Sequence, residues 1–244
     1  FAGIEASSRE RIATMAELKR QALTEALERY RSLGNLFLDA ALVDPRVSEA
    51  FAARDRERLL ELTMPFYAAT REAYGIAQYQ FHRPDARSFL RLHKPAKFDD
   101  DLSAFRATVV EANRSRRQVE GLEVGVADLG FRVVRPVAGP DGAHAGTVEF
   151  GGALDGAFIK ALEAGLPEAA REGGFRLSVV STNLAGDYFI AGSNFESEPG
   201  EDPAAALAAL DGGDSRLEVR GNEAEAFYPL RDFSGRDIGY AKFL

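Results

Sequence analysis

Two neighbouring predicted strands carry cationic and hydrogen-bonding side chains at alternating positions. Alternation along the second of them places Phe89, Arg91 and His93 on one face. Leu90 and Leu92 take the opposite face. The planar guanidinium of an arginine can bind a carboxylate through two parallel hydrogen bonds, and an imidazole can contribute another. This strand therefore has the residue types that a site for a small anion requires.

The preceding predicted strand continues this polar pattern. Gln80 and His82 share one face of it, while Tyr79 lies on the other. Glu123 and Arg132 fall in strands further along the chain. If helices or loops cover the polar face of the sheet, these groups line an enclosed pocket, whereas an open face would be an ordinary charged surface. The alternation by itself leaves both interpretations open.

The residues that most catalytic and metal sites need are absent or unsuitably spaced. The chain has no cysteine, which excludes a thiolate nucleophile and a disulfide. His82 and His93 could approach each other on adjacent strands, but no third and fourth zinc ligands stand at suitable spacing. His144 falls in a predicted turn. Nucleophile-elbow and phosphate-loop motifs are also missing, and no pair of carboxylates stands out. We therefore expect no enzyme activity, no metal and no cofactor.

Composition narrows the class of protein further. The 244 residues include 30 basic and 38 acidic ones, for a net charge of −8, which argues against a nucleic-acid-binding protein. No apolar run approaches the roughly 18–20 residues that span a bilayer. The sequence starts at Phe1 and ends on the apolar pair Phe243 and Leu244. We therefore expect a piece of a longer protein.

The first 74 residues have a helical pattern. Apolar residues at steps of three and four predict one long helix from about Ile4 to Ser32 that ends near Gly34. This stripe consists of Ile12, Met15, Leu18, Ala22, Ala26, Tyr30 and Leu33. Further helical segments are predicted at 36–42, 46–54 and 56–73.

From Gly75 onward, alternating segments separated by turn residues predict strands. Asp99, Asp100 and Asp101 favour the start of a helix that continues to about Arg116. The predicted strands of this region are 76–82, 88–93, 122–124, 131–137 and 146–150. The last third repeats this layout, with helices at 154–171 and 203–210 and strands at 175–181, 187–191, 217–220, 224–230 and 238–243.

An internal repeat supports two modules. Residues 136–150 (PVAGPDGAHAGTVEF) and 229–243 (PLRDFSGRDIGYAKF) share Pro, Gly, Gly and Phe at one constant offset. The predicted class is therefore α+β, with a long N-terminal helix followed by two tandem modules, each an antiparallel sheet flanked by helices. The predicted organisation is a helical region at 1–74, a first module at 75–152 and a smaller second module at 153–244.

One stretch of the first module resembles a known family. Residues 81–102 (FHRPDARSFLRLHKPAKFDDDL), 105–113 (FRATVVEAN) and 121–125 (GLEVG) resemble the extracytoplasmic sensor regions of bacterial methyl-accepting chemotaxis proteins and sensor kinases. More specifically, they resemble the double Cache group, whose modules are PAS-like. The resemblance is strongest over 82–151, and the long first helix and second module extend it over most of the chain.

The resemblance implies the periplasmic portion of an inner-membrane protein, located between two membrane-spanning helices. Module 75–152 would be membrane-distal and would bind a small carboxylate or an amino acid, and module 153–244 would be membrane-proximal and empty or structural. The implied ligand-binding residues are Tyr79, His82, Arg91, His93, Glu123 and Arg132. The chain departs from the family at Val126, where a basic residue is common. The family also suggests a homodimer through the first helix.

A second interpretation remains open at this stage. The domain could bind a partner protein and hold no small molecule, and a polar face open to solvent would favour that function. Tyr79 is predicted to lie on the opposite strand face from His82, so the two residues cannot be equally well placed in one site.

Overall fold

The sequence begins with a single helix, α1, which spans Ala2–Leu42 in the computed structural model. The predicted end near Gly34 is wrong, and the predicted segment 36–42 is the last part of the same helix. A Cβ atom at Gly34 would lie 2.6 Å from Cγ2 of Val133 and 2.8 Å from the ring of Phe150. The glycine therefore lets the helix backbone lie against a sheet and does not end the helix. The structure describes residues 2–126, 128–171, 174–196, 202–210, 213, 215–220 and 223–244.

Two short helices follow, α2 (Pro45–Ala52) and α3 (Arg56–Thr70). Each begins at an aspartate whose carboxylate accepts a hydrogen bond from a backbone N–H of the first turn. Asp44 has this role for α2 and Asp55 for α3. Such caps satisfy donors that have no partner inside the helix, which explains why both helices start at these positions.

The first sheet is antiparallel, with the strand order β2-β1-β5-β4-β3. One helix, α4 (Ala107–Ser115), lies between β2 and β3 in the chain. The strands are β1 (Gln78–His82), β2 (Ser88–Arg91), β3 (Val119–Val124), β4 (Leu129–Ala138) and β5 (His144–Ala153).

Aromatic rings from the first helices fill one face of this sheet. The ring of Phe37 on α1 lies 5.0 Å from that of Tyr79 and 5.7 Å from that of Phe150. The ring of Phe51 on α2 lies 5.1 Å from that of Phe81. All five residues are buried. Aromatic contacts of this kind make this face the apolar core of the module, so the polar residues of the same strands face the other side.

The second sheet repeats this architecture, with the order β7-β6-β10-β9-β8. The elements are α5 (Gly156–Gly165), α6 (Glu168–Arg171), β6 (Leu177–Thr182), β7 (Tyr188–Ser193), α7 (Pro203–Ala208), β8 (Arg216–Arg220), β9 (Glu223–Arg231) and β10 (Asp237–Phe243). One long helix and two antiparallel five-stranded sheets with helices confirm the predicted α+β class.

Residue contacts divide the chain into two units. One comprises 29–126 with 130–153, and the other comprises 1–28 and 127–129 with 154–244. Helix α1 thus contributes residues to both units, whereas the sequence placed all of it in a region of its own. Within the described ranges, no helix combines the length and apolar character that crossing a bilayer demands.

The sequence repeat corresponds to the same bulged strand in each sheet. Gly146 on β5 has a φ of +137°, and its repeat partner Gly239 on β10 has a φ of +158°. A Cβ atom on Gly146 would overlap the carbonyl oxygen of His82, and one on Gly239 would overlap that of Val180. In both sheets the strand register shifts at this position. The shared glycine is therefore required by backbone conformation and close contact in both copies.

We predict that Gly146→Ala destabilises the protein by at least about 3 kcal/mol, because the new methyl group meets a strand carbonyl at a backbone angle that L-residues avoid. Gly142→Ala is the matched control. It has a φ of +77° in the same hairpin and nothing within 4 Å of the added Cβ. It should cost only about 1 kcal/mol. Urea unfolding followed by circular dichroism measures both, and equal losses would contradict the role of the close contact.

Candidate functional site

The face of the first sheet opposite the aromatic core is lined with buried polar side chains. We call this surface the polar face. Its residues are Gln80, His82, Arg91, Glu123, Arg132, Thr147 and Glu149, all of them less than 9% exposed. Strand alternation explains why they share one side, since each alternates with an apolar core residue.

Helix α4 covers part of the polar face. Its residues Val109 and Ala112 pack against Val134 of β4 in one buried apolar cluster. The backbone N–H of Thr108 donates to Oε1 of Glu123 over 2.7 Å, so a strand carboxylate satisfies a donor of the first turn. The predicted start of this helix at Asp99, Asp100 and Asp101 is therefore wrong. The helix begins instead near Arg106, and the carboxylate of Glu123 on β3 caps its first turn.

Arg106, at the start of α4, is the centre of a buried charge network. Its Nε donates to Oε2 of Glu123 over 2.8 Å, and its Nη2 donates to Oε1 of Glu149 over 2.5 Å. The Nη1 atom of Arg132 lies 3.6 Å from the same Oε1. The side chains of these residues are at most 8% exposed. Each charge thus has an opposite charge nearby, as buried ions require.

The network keeps its carboxylate ionised. Burial alone would raise the pKa of Glu149, but the positive charges of Arg106 and Arg132 outweigh burial and lower that pKa to about 2. For Arg106, burial works against the charged form, whereas Glu149 and Glu123 favour it and raise the pKa of its guanidinium. Both partners are therefore charged at neutral pH.

Two glycines make room for Arg132. Gly151 lies opposite it on β5, and Gly130 precedes it by two positions on the same face of β4. A Cβ atom at Gly130 would lie 2.8 Å from the Cζ atom of Arg132, and one at Gly151 would overlap its guanidinium. The guanidinium can therefore occupy its place over the sheet only because both positions lack a side chain.

Arg91 is held by a different acid. It makes two hydrogen bonds to Asp100, of 2.5 and 2.7 Å, and a third of 3.1 Å to Oγ of Ser88. The hydrogen bond from Arg91 is the main reason why the pKa of Asp100 lies well below its usual range. This bidentate pair fixes the guanidinium on β2, and Gln80 of β1 lies between Arg91 and Glu149 of β5.

Both predicted histidines near this face are neutral. Burial lowers the pKa of His82 to about 3, although Glu149 beside it acts in the opposite direction. Nδ1 of His82 lies 3.2 Å from Oγ1 of Thr147, and its Nε2 lies 3.4 Å from Oε2 of Glu149. Burial also lowers the pKa of His93 to about 4. His93 stands in the turn that follows β2, because the strand ends at Arg91 and not at 93 as predicted.

Several buried polar atoms in this region have no hydrogen-bond partner among the residues that the structure describes. They include Oε1 of Gln80, Nδ1 of His93 and Oγ1 of Thr108. Buried polar atoms in native proteins are nearly always paired with protein, water or a ligand. Their concentration beside the charge network marks this region as the candidate binding site.

Four of the six predicted site residues lie on this side of the sheet, namely His82, Arg91, Glu123 and Arg132. His93 lies in the turn after β2, where the charges of Glu149 and Arg91 both influence its pKa. Tyr79 lies on the other side, where its ring is part of the aromatic core with Phe37, and burial raises the pKa of its hydroxyl. Val126 is 66% exposed. Arg106 and Glu149 were missed, although an arginine just before the apolar stripe of α4 is an unusual helix start and was a usable signal.

The prediction that Phe89 lies on the same strand face as Arg91 is wrong. The register between β1 and β2 shifts between Phe81 and His82, which is a β-bulge. The ring of Phe89 lies 5.5 Å from that of Phe51, on the side of the aromatic core. Strict alternation had placed it beside Arg91, and the bulge turns it to the opposite face.

The described residues include no cluster of three or more His, Cys, Asp or Glu side chains that could hold a metal ion. The charge network itself contains no nucleophile beside a base. What it offers chemically is a set of fixed charges, donors and acceptors inside a buried region, which is suited to holding a polar molecule.

Comparisons with known proteins agree with this architecture. A family model described as the double sensory domain of two-component sensor kinases (dCache_3) matches residues 9–244. A search of curated proteins by sequence gives no significant match.

Among solved structures, the sensory domain of the Campylobacter jejuni chemoreceptor Tlp3 (CcmL) with isoleucine bound has a TM-score of 0.59 at 13% identity, over 99% of this chain and 92% of that chain. The sensor domain of the V. cholerae histidine kinase DctB has a TM-score of 0.51 at 10% identity, over 98% and 97%. An extracellular ligand binding receptor from Desulfohalobium retbaense DSM5692 has a TM-score of 0.50 at 12% identity. That match covers 91% of this chain but only 38% of the receptor, so this chain spans less than half of the receptor's length. At these identities the likeness shows a shared fold.

We predict that the free energy of unfolding decreases as the pH is lowered below about 6.5. In this range the histidines of the unfolded chain bind protons, whereas buried His82 and His93 of the folded protein stay neutral. Their pKa values in the folded state, about 3 and about 4, lie below the unfolded value, so this stability is present above pH 6.5 and is lost as pH falls. The free energy of unfolding should fall by up to about 1.4 kcal/mol per pH unit for a fully buried histidine.

Urea unfolding at pH 7, 6 and 5 measures this slope above the range where carboxylates titrate. The double variant His82→Gln, His93→Gln should flatten it, since glutamine keeps polar atoms but does not titrate. A slope as steep as that of the wild type in the double variant would show that the buried histidines are not its cause.

Proposed function

The chain belongs to the family of double sensory domains of two-component sensor kinases, and we propose that it senses a small molecule at the polar face of its first module. In this proposal the domain is the periplasmic part of an inner-membrane receptor, and module 75–152 is the membrane-distal one. It changes shape on binding and transforms nothing. The six residues implied by the family resemblance reduce here to five, because Tyr79 faces the core.

The observation that carries the proposal is the group of unpartnered polar atoms beside a buried charge network. Gln80, His93 and Thr108 each contain one such buried atom. A bound solute supplies the missing hydrogen bonds, and leaving a buried group unpaired costs about 1–3 kcal/mol. This cost favours any ligand whose polar atoms match the three positions.

The balance of charge favours a particular class of ligand. Arg91, Arg106 and Arg132 are matched by Asp100, Glu123 and Glu149, and both histidines are neutral. A bare anion would unbalance this set. A zwitterion would not, since its carboxylate can join an arginine while its ammonium joins Glu149. We therefore favour an amino acid over a simple carboxylate, and the isoleucine in the Tlp3 sensory domain supports this choice.

Binding couples to α4 through shared partners. Arg106 stands at the first turn of α4, and Glu123 accepts from the N–H of Thr108 in the same turn. A ligand that takes hydrogen bonds from Arg106 weakens its hold on Glu123 and Glu149. The receptor then responds to the extent that the ligand binds one arrangement of this helix better than the other.

The alternative function, a domain that binds only a partner protein, requires the polar face to be open to solvent. Its residues are buried, so no observation favours that function. Dimerisation through the N-terminal helix remains a proposal that follows from the family.

Thermal unfolding with a panel of amino acids and of the matching acids without an amino group tests the ligand class. We expect a rise of several degrees with at least one amino acid at a hundred times its dissociation constant, because binding stabilises only the folded state. The matching acid should give little or no rise. Arg132→Gln and Glu149→Gln should both lose the response.

Arg135→Gln is the matched control. Arg135 lies on the same strand as Arg132, but its side chain pairs with Asp39 and Gln118, away from the polar face. It should keep the full response. A response that survives in Arg132→Gln would remove the site from the polar face, and a response to the acids alone would overturn the choice of a zwitterion.

A further inference from the structure

The polar face of the first module is closed to water. Gln80 is 1% exposed and Thr108 is 0% exposed, and each contains a buried polar atom without a partner in the described part of the chain. A solute that binds here, as the proposed function requires, therefore enters only when an element beside this face moves. Helix α4 and the segment that follows β2 are two such elements.

Helix α4 is the harder of the two to move. Val109 and Ala112 are fully buried and pack against Val134 in one apolar cluster. Arg106 at the start of the helix bonds to the carboxylate of Glu149. Lifting the helix would expose this apolar surface and separate buried opposite charges, and both changes cost free energy.

Residues 93–98, which we call the strap, are held less firmly. They form turns without helix or strand, and most of them are exposed. Backbone hydrogen bonds anchor the strap to the sheet just before and just after it. The N–H of Leu92 donates to the carbonyl of Tyr79 over 2.9 Å, and the N–H of Asp99 donates to the carbonyl of Ser88 over 2.7 Å. The strap can therefore swing on these two anchors without opening the sheet.

The strap also carries a residue of the candidate site. His93 is its first residue, and Nδ1 of His93 is one of the buried atoms that have no partner within the described ranges. Arg91, a residue of the polar face, donates from Nη1 to the carbonyl of Lys97 over 3.1 Å. The strap thus contacts a side chain of the polar face, and a movement of the strap displaces His93 as well.

Arg56, the first residue of α3, ties the strap to that helix. Its Nη2 donates to the carbonyl of Pro95 in the strap, and its Nε donates over 3.1 Å to the carbonyl of Phe89 on β2. Its Cζ lies 4.1 Å from the ring centroid of Phe98, which is a cation–π distance. Among the residues that the structure describes, no carboxylate forms an ion pair with Arg56, so its guanidinium is committed to the strap and to β2.

We propose that the strap is the gate through which a solute reaches the polar face, and that Arg56 is the latch that keeps this gate closed. The inference rests on the proposed function, since a gate needs a site behind it. When the gate opens, the guanidinium of Arg56 leaves the carbonyl of Pro95 and the ring of Phe98. Opening costs only the net value of a few hydrogen bonds, because water replaces them. A solute bonded to Nδ1 of His93 holds the strap in its closed position.

Thiol labelling tests the gate without a ligand, because the chain contains no cysteine and an introduced one is the only thiol present. Thr108→Cys places this thiol at the polar face, and Gln80→Cys is a second reporter in case the first variant folds poorly. A small disulfide reagent in native buffer should label either thiol slowly. Adding Arg56→Gln should raise the labelling rate about tenfold, the factor that corresponds to the loss of one hydrogen bond from a charged group.

Two controls separate the latch from a general loss of stability. Arg58→Gln removes another arginine of α3, one that pairs with Glu61, and should leave the labelling rates unchanged. Thr63→Cys reports on α3 itself, because Thr63 is buried in that helix. Its labelling should stay slow when Arg56→Gln is added.

Labelling of the two polar-face reporters that Arg56→Gln does not accelerate would overturn the gate. Equal acceleration in Thr63→Cys would overturn it as well, since α3 or the whole protein would then be opening. The thermal unfolding panel measures ligand binding separately, so a failure of the latch and a failure of the proposed function give different results.

Discussion

The need to neutralise charge inside the first module determines how its polar side is built. Arg106 reaches from the start of α4 to Glu149 and Glu123, and Arg132 lies against the same carboxylate. None of these charges could be buried alone, since an isolated ion in a protein interior loses several kcal/mol of hydration. The strand that presents Glu149, the helix that presents Arg106 and the glycines under Arg132 therefore depend on one another. A helix and three strands are fixed by one network of charges.

Sequence patterns predicted the strands better than the network. Alternation identified His82 and Arg91 because a strand encodes its two faces within a few residues. Arg106 could not be found in this way, because its role depends on a carboxylate 43 residues away on another element. Gly34 and Phe89 were misjudged for related reasons. A glycine can end a helix or make room for a neighbouring element, and a strand can keep its alternation or reverse it at a bulge. In both cases tertiary contacts determine the outcome, and these are not visible in the local sequence.

The prediction of two modules from the internal repeat depended on backbone geometry and not on side-chain contacts. Gly146 and Gly239 are needed by backbone geometry, which duplicated sheets must retain whatever their side chains do. The residues at Glu149 and Lys242 share a position in the fold but have opposite charge. The two modules thus keep one architecture and present different chemistry on it, as expected where function depends on side chains placed on a common scaffold.

Gly34 also affects how the first helix can move. The side chains of Val133 and Phe150 occupy the space that its missing Cβ leaves on α1, so a side chain at this position would collide with them. An axial slide of the helix over this sheet, as in a piston, would first have to lift it out of register. Within this module, the close packing at Gly34 therefore opposes such a slide, and a movement that keeps this contact must displace α1 and the sheet together.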